Sequence, residues 1–396
     1  MTTMPFTGSY TPDDVQFLLK PMSLPDTPVH LKETLIQSGK KHYSQLLTHE
    51  SLPPDDYLPL FYRAMTLNQD LMAEHLLLLA ESIVATRPQG ITLVSLARAG
   101  TPVGVLLKHV LKRQFHTEVK HYSISILRDV GIDANALRHI LQNHAPESLV
   151  FIDGWTGKGV IARQLAASLE DFANTDGIVI PAELYVLTDL SGWAAVAASS
   201  EDYLIPSCIL NATISGLVSR SVYEPATAGP ADFHGCVYYD RFAEHDLSQY
   251  FIAAILARVD ILNMGTHCGF SRPLPAGEGW GEGIQKSANR DRSQYSIKDR
   301  PKTQAYNRQQ LQATSRQFLQ WIAERYGITR PNYIKPGIGE ATRVLLRREA
   351  QLLLLQDLDS EATLHLRWLA ESKGIPIAVC NDLPYRAAAL IKEIAL

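Results

Sequence analysis

The run Leu149-Val150-Phe151-Ile152-Asp153-Gly154-Trp155-Thr156-Gly157-Lys158-Gly159-Val160 places a carboxylate, a hydroxyl and an ammonium in one loop. An apolar strand ends on Asp153, a short Gly/Thr segment follows, and a helix opens at Val160. Such a loop leaves backbone N–H groups at a helix N-terminus, where the helix dipole adds partial positive charge. Thr156 offers a hydroxyl, Lys158 a point charge, and Gly154, Gly157 and Gly159 let a phosphate approach the backbone. Asp153, at the carboxyl end of the strand, is placed to take a sugar hydroxyl or a magnesium-linked group. The chemistry suggested is the binding of a phosphorylated sugar. Two other phosphate loops compete with it. A Walker A loop needs Ser or Thr after its Gly-Lys, and Gly159 stands there. Gly157 to Ala162 fits G-x-G-x-x-A, but the acid expected about 20 residues on is missing, since Glu170 and Asp171 fall too early. An ordinary strand-to-helix turn with a capping Thr also stays open.

A second loop strengthens the sugar-phosphate reading. Ile91 to Leu96 reads as a buried parallel strand and empties into Ala97-Arg98-Ala99-Gly100-Thr101-Pro102-Val103-Gly104, followed by a helix. Arg98 has the fork that clamps a phosphate bidentately, and Ala99, Gly100 and Thr101 can present backbone N–H groups. One loop for a monophosphate and one for a pyrophosphate is the minimum for phosphoribosyl pyrophosphate.

With both loops in view, the chain resembles the type I phosphoribosyltransferase superfamily. More narrowly it is similar to the bacterial StiP family, whose members are called cysteine proteases and join a divergent phosphoribosyltransferase domain to a Pelota-type RNA-binding domain. Ser95 to Pro102, His121 to Ile126, Asp153 to Gly159 and Ser215 to Arg220 carry that likeness. It covers nearly the whole chain apart from one insertion, and implies a setting in stress and tellurium-resistance gene clusters. It further implies a transferase that uses phosphoribosyl pyrophosphate with magnesium. Arg98, Ala99, Gly100 and Thr101 would hold the pyrophosphate, Asp153 and Gly154 the ribose, and Thr156, Gly157, Lys158 and Gly159 the 5′-phosphate. Asp153 and Arg98 head the catalytic candidates, with Asp129 and Asp189 as guesses for a base. The chain departs from the superfamily at Gly154, where a second acid is usual, and at Thr156-Gly157-Lys158-Gly159, where Thr-Gly-Gly-Thr is usual. A non-catalytic sensor that binds a nucleotide-like ligand and acts on RNA is one alternative, and a cysteine protease is the other.

Composition sets outer limits. The 396 residues suggest two or three domains, and 46% hydrophobic content allows a sizeable core. A formal charge of −4 gives no global field to recruit nucleic acid, so any such binding must come from a local patch. The four cysteines, Cys208, Cys236, Cys268 and Cys380, form no C-x-x-C pair, which argues against a zinc ribbon and a disulfide framework. No apolar run approaches the roughly 20 residues of a membrane span, and the first residues lack a leader pattern. The expectation is a cytoplasmic protein with no membrane partner.

The elements that must position these residues follow from periodicity. Residues 1–88 read as a mainly helical region with a long amphipathic helix from Tyr57 to Thr86. Residues 89–266 alternate strands and helices, which implies an α/β fold built on a doubly wound, mostly parallel sheet. The predicted helices include Trp193 to Ala198. Right-handed crossovers bring the strand-to-helix loops to one sheet edge, which adds Arg128, Asp129, Asp189, Asn211, Thr213, Ser215 and Arg220 as candidates. Residues 269–295 are Gly/Pro-rich without apolar period and read as a disordered, repeat-like insertion.

A connecting helix over 303–328 leads to a small C-terminal αβα unit over 329–396, in which Tyr385 to Ile394 is expected as the last helix. Gly337-Ile338-Gly339-Glu340-Ala341-Thr342-Arg343 is similar to the Gly-x-Asn-Glu-x-Thr-Lys helix start of Pelota-type RNA-binding domains, with Gly339 in place of the base-reading Asn. On that likeness Lys335, Gly337, Glu340, Arg343 and Arg347 would face structured RNA, and Arg348 adds to the positive patch. A helix cap with a solvated basic face is the competing reading. For a protease, a thiol needs a neighbouring His and a third orienting group. His267 and Cys268 would point to opposite faces of a strand, whereas His234 and Cys236 would share one.

Overall fold

The computed structural model describes residues 5–225, 228–267 and 307–393. Its centre is a six-stranded, fully parallel sheet of β1 (Gln16–Leu18), β2 (Thr92–Leu96), β3 (Lys120–Ile124), β4 (Leu149–Thr156), β5 (Leu184–Asp189) and β6 (Val196–Ser199), in the order β1-β3-β2-β4-β5-β6. β2, β4 and β5 are buried along their whole length, as strands covered on both faces must be. Side-chain alternation divides them between two cores. Leu93, Val150, Ile152 and Tyr185 face α2 (Leu58–Thr86), α3 (Gly100–Phe115) and α6 (Ser248–His267). Val94, Phe151 and Val186 face α4 (Ala134–Leu141) and α5 (Val160–Asp176). The expected α/β class with a doubly wound parallel sheet is what the chain forms.

The chain runs from β2 outward to β3 and then returns past β2 to β4. The switch point therefore lies between β2 and β4, and the loops after these two strands flank the crevice in which open α/β sheets bind ligands.

Three elements differ from their sequence patterns. The first 57 residues do more than form helix: β1 pairs in parallel with β3 and makes the sheet edge, while α1 is confined to Val29–Gln37. The predicted helix over Trp193 to Ala198 is instead strand β6, where pairing to β5 outweighs the helix propensity of its alanines. The predicted last helix is also a strand.

That strand belongs to the C-terminal unit, a four-stranded sheet of β7 (Ile334–Pro336), β8 (Ala350–Leu355), β9 (Ile377–Val379) and β10 (Ala387–Ile391), in the order β7-β10-β8-β9. β10 lies antiparallel between β7 and β8 and is wholly buried. The run Ala387-Ala388-Ala389 favours helix locally, but its small side chains let α8 (Gly337–Arg347) pack closely on the strand. α7 (Arg308–Tyr326) and α9 (Leu364–Ser372) complete the unit. The insertion expected at 269–295 lies outside the described residues, and so does Cys268.

Candidate functional site

The C-terminal unit docks on the ligand edge of the parallel sheet and encloses a chamber there. Two cavities of about 490 and about 210 Å³ share a wall of Asp153, Trp155, Ile161, Arg220, Arg343 and Arg347. The larger is lined by Lys32, Lys158, Lys335, Arg128, Arg220, Arg330, Arg343, Arg347 and Arg348, against only Asp153 and Glu340 as carboxylates. A chain that is acidic overall has thus collected nine cations around one space. Tyr43, Trp155, Tyr333, Ile36, Ile161 and Val344 supply apolar walls between them.

The electrostatics follow from that crowding. Burial, then the neighbouring Arg220 and Arg348, pulls Lys32 down to about 7. Burial, then Lys335, does the same to Lys158. Burial and Arg98 bring Arg347 to about 9. Burial pushes Asp153 up to about 6, against the pull of Arg343 and the N–H of Gly154. Glu340 goes the other way: burial opposes its charge, but Lys335, Arg343 and Lys158 prevail and hold it at about 2. Like charges forced together in a low-dielectric space destabilise one another, and an anion relieves them.

The predicted phosphate loop lies on the chamber wall, since Thr156, Gly157, Lys158 and Gly159 all line it. Thr156 Oγ1 accepts the N–H of Gly159 (3.0 Å), which closes the loop. Lys158 Nζ donates to the carbonyls of Pro331 (2.8 Å) and Ile334 (2.9 Å), so it also clamps the C-terminal unit. Asp153 lines both cavities, while a Cβ on the neighbouring Gly154 would lie 3.7 Å from Ile205 Cδ1 and 3.8 Å from the Ala99 carbonyl oxygen.

The loop after β2 is used differently from expectation. Arg98 is buried and committed: it donates to Glu50 Oε1 (2.7 Å), to the carbonyl of Val218 (3.0 Å) and to Asn211 Oδ1 (3.1 Å). The Ala97–Arg98 peptide is cis. Ala99 lines the smaller cavity, but Thr101 turns inward to share a hydrogen bond with Ser123 (2.7 Å), and a Cβ on Gly100 would press on the carbonyl of Ile152. Thr101 and Gly100 are packing residues, and Arg98 orders the chamber wall.

Asn211, Ser215 and Arg220 do converge there. Asn211 Oδ1 also accepts from Arg347 Nε (2.8 Å), Ser215 Oγ donates to the Asn211 carbonyl (3.0 Å), and Arg220 donates to the Tyr43 carbonyl (2.6 Å). Thr213 is buried among the packing residues. The two acids offered as bases lie off the chamber. Asp129 is exposed and pairs with Arg128 (2.9 Å). Asp189 is buried, its carboxylate taken by the N–H groups of Ser191, Gly192 and Ala194. The missed residues include Lys32, Tyr43 and Glu50, which reach the site from the amino-terminal segment, and Arg330 and Tyr333, which precede α8. No local motif marks them.

The motif face of the C-terminal unit points into the chamber as well. The Arg343 guanidinium sits 4.1 Å from the centre of the Trp155 ring, and its Nη1 donates to Glu340 (3.1 Å). Lys335 is 3.6 Å from Glu340, and Gly337 sits at φ +83° where α8 meets Leu190 and Asp202.

Neither Cys208 nor Cys236 forms a protease site. Cys208 is buried, donates to the Gly339 carbonyl (3.5 Å), and is pushed up to about 11 by burial, the reverse of an activated thiolate. Cys236 is wholly buried and its thiol is raised further by burial, while His234 bonds to Ser125 (2.8 Å). A serine–histidine pair that sequence reading missed, Ser95 with His121 (2.8 Å), is sealed in the core. Among the described residues no group of three or more His, Cys, Asp or Glu is placed to hold a metal, and no helix is long and apolar enough to cross a membrane.

Comparison with known proteins agrees with this division of the chain. The family described as "Tellurite-like stress resistance cysteine protease StiP" matches residues 8–256, and the PELOTA RNA binding domain matches residues 313–393. A relative from Acinetobacter baylyi (strain ATCC 33305 / BD413 / ADP1), named cysteine protease StiP, is 39% identical over 399 residues, spanning 98% of this chain and 95% of its own. With both segments matched in order and the relative aligned almost end to end, the chain belongs to the StiP family.

Proposed function

We propose that the chamber binds a phosphorylated sugar, phosphoribosyl pyrophosphate in the first place, and that the chain transfers its phosphoribosyl group to an acceptor. The observation that carries this reading is the ring of nine cations around Asp153 at the switch point of a parallel sheet. Such a space suits a ligand with several phosphates, and a buried carboxylate among them suits a hydroxyl donor. Asp153 takes a ribose hydroxyl, the loop Thr156 to Gly159 borders the monophosphate, and Arg220, Arg343 and Arg347 neutralise the pyrophosphate. That last role was expected of Arg98, which is occupied by Glu50.

In the transfer, the bond from the anomeric carbon to pyrophosphate breaks with its electron pair leaving on oxygen. The acceptor forms the new bond to that carbon, and its proton passes to the departing pyrophosphate. Fixed cations stabilise the departing charge in a water-poor space. Magnesium fits only as part of the ligand: Asp153 is the one lining carboxylate not paired with a cation, so the phosphates must supply most of its ligands. When bound it would add positive charge to the leaving group. The protease activity in the relative's name has no counterpart at Cys208 or Cys236. RNA is the partner suggested for the C-terminal unit by its domain match.

Thermal unfolding with and without magnesium phosphoribosyl pyrophosphate tests the reading. Ligand that binds only the native chain raises the melting temperature by mass action, and Asp153→Asn removes the rise. A wild-type chain with no rise at millimolar ligand refutes it. Release of pyrophosphate against a panel of nucleobases and small metabolites then distinguishes an enzyme from a sensor.

A further inference from the structure

The motif face of the C-terminal unit is the part of the molecule where its family likeness and its geometry disagree. In an RNA-binding module, the start of α8 should offer open N–H groups and basic side chains to a phosphate backbone. Here the parallel-sheet domain has taken several of these, while Lys335 pairs with Glu340 inside the C-terminal unit. Asp202 Oδ1 accepts the N–H of Ile338 (2.8 Å) in the first turn of α8, and its other oxygen accepts the N–H of Arg386 (2.8 Å). Arg347 is bound to Asn211, Arg343 lies over Trp155, and Lys158 holds the Pro331 and Ile334 carbonyls just before α8.

Gly339 explains how the surfaces approach so closely. A Cβ at that position would lie 2.6 Å from Trp155 Cε2, and one on Gly157 would lie 3.0 Å from Glu340 Cγ. The glycine standing where Pelota-type domains read a base is therefore a docking requirement. Any larger side chain displaces either the Trp155 ring or α8. The space left beside this contact is closed on several sides and sized for a small molecule, not for a structured RNA.

We propose that this face is the hood of the small-ligand chamber: Lys335, Arg343 and Arg347 grip the phosphates of the chamber ligand, and a docked hood withholds the same residues from RNA. This rests on the phosphate-ligand reading above and extends it, since the ligand then spans both domains and favours the docked arrangement. Ligand and RNA compete for one set of cations, and by linkage each weakens the other.

The test uses the full chain, with affinity for magnesium phosphoribosyl pyrophosphate and for inorganic pyrophosphate measured by titration calorimetry. An RNA stem–loop is followed by fluorescence anisotropy. Circular dichroism confirms that each variant folds. Arg343→Ala, a partly exposed position, is expected to weaken ligand binding at least tenfold. Gly339→Asn, which wedges the interface, is expected to weaken ligand binding while strengthening RNA binding at least tenfold. Added ligand should displace RNA from the wild type. If Arg343→Ala leaves ligand affinity within twofold of wild type, or abolishes RNA binding that ligand does not displace, the hood is overturned and the sugar-phosphate reading stands. If the wild type takes pyrophosphate in an Arg343-dependent way but ignores phosphoribosyl pyrophosphate, the hood stands and that reading falls. Should Gly339→Asn not fold, Arg343→Ala and the displacement experiment still decide the matter.

Discussion

If the chamber binds the proposed ligand, Lys32 and Lys158 link that binding to pH, and the size of the link follows from their surroundings. Both ammonium groups are brought to about 7, against about 10.4 for a free lysine, by burial and by adjacent cations. Their folded values are depressed, so in the ligand-free chain the cost of holding the charge is fully felt below pH 7. It fades as pH rises toward 10.5, where the unfolded chain also loses these protons. A polyanion reverses the preference: it restores the charged form, so above pH 7 binding must draw protons from solution. At pH 8.5 charging one such lysine costs about 2 kcal/mol, from about 1.4 kcal/mol per pH unit. Two lysines make the affinity fall by up to about a hundredfold per pH unit above 7. Calorimetric titration with magnesium phosphoribosyl pyrophosphate, in two buffers of different ionisation enthalpy, reads the protons directly. The expected uptake at pH 8.5 approaches two protons for the wild type and one for Lys32→Met. Affinity that is flat from pH 6.5 to 8.5 with no buffer dependence would refute the claim that the chamber cations meet the ligand.

Other outcomes follow from individual contacts. Glu50→Gln leaves Arg98 buried without its carboxylate, and chemical denaturation should show a loss of about 3–5 kcal/mol, as when one partner of a buried pair is removed. His121 and His365, held at about 3, and His75, held at about 4, are kept neutral by burial. The unfolded chain protonates such histidines near 6.5, so stability should fall steadily as pH drops from 6.5 toward 3; a urea midpoint unchanged between pH 6.5 and 4.5 contradicts this. Cys208 should alkylate at least tenfold more slowly than free cysteine at pH 7.5, because burial pushes its thiol to about 11, and rapid labelling by iodoacetamide would revive the protease reading.

Legibility in the sequence tracked how local each signal was. The strand-to-loop-to-helix units around Leu96 and Thr156 were readable because an apolar run, small residues and a helix start adjoin one another. The alanine-rich strands β6 and β10 were not, since pairing partners far along the chain decided them. At the site, Asp153, Lys158 and Arg220 were legible from the loops that carry them. Arg98 was legible as a charged residue at the switch point, but its partner Glu50 comes from 48 positions earlier and no spacing rule connects them. The inward aim of Arg343 and Arg347 depends on how two domains meet, which periodicity within either cannot report.

The joining of α1 to α8 also carries a consequence for the order of synthesis. Glu33 is wholly buried and pairs with Arg348, Lys32 donates to the Arg347 carbonyl, and Gln37 reaches the Lys392 carbonyl. These amino-terminal groups leave the ribosome more than 300 residues ahead of their partners, so for most of translation they remain hydrated and unmatched. The chamber therefore cannot exist on a nascent chain, nor on a product ending before α8. On the proposed reading, ligand capture becomes a property of finished molecules alone, and ligand-induced protection from proteolysis would double as a measure of how much of a preparation is full length.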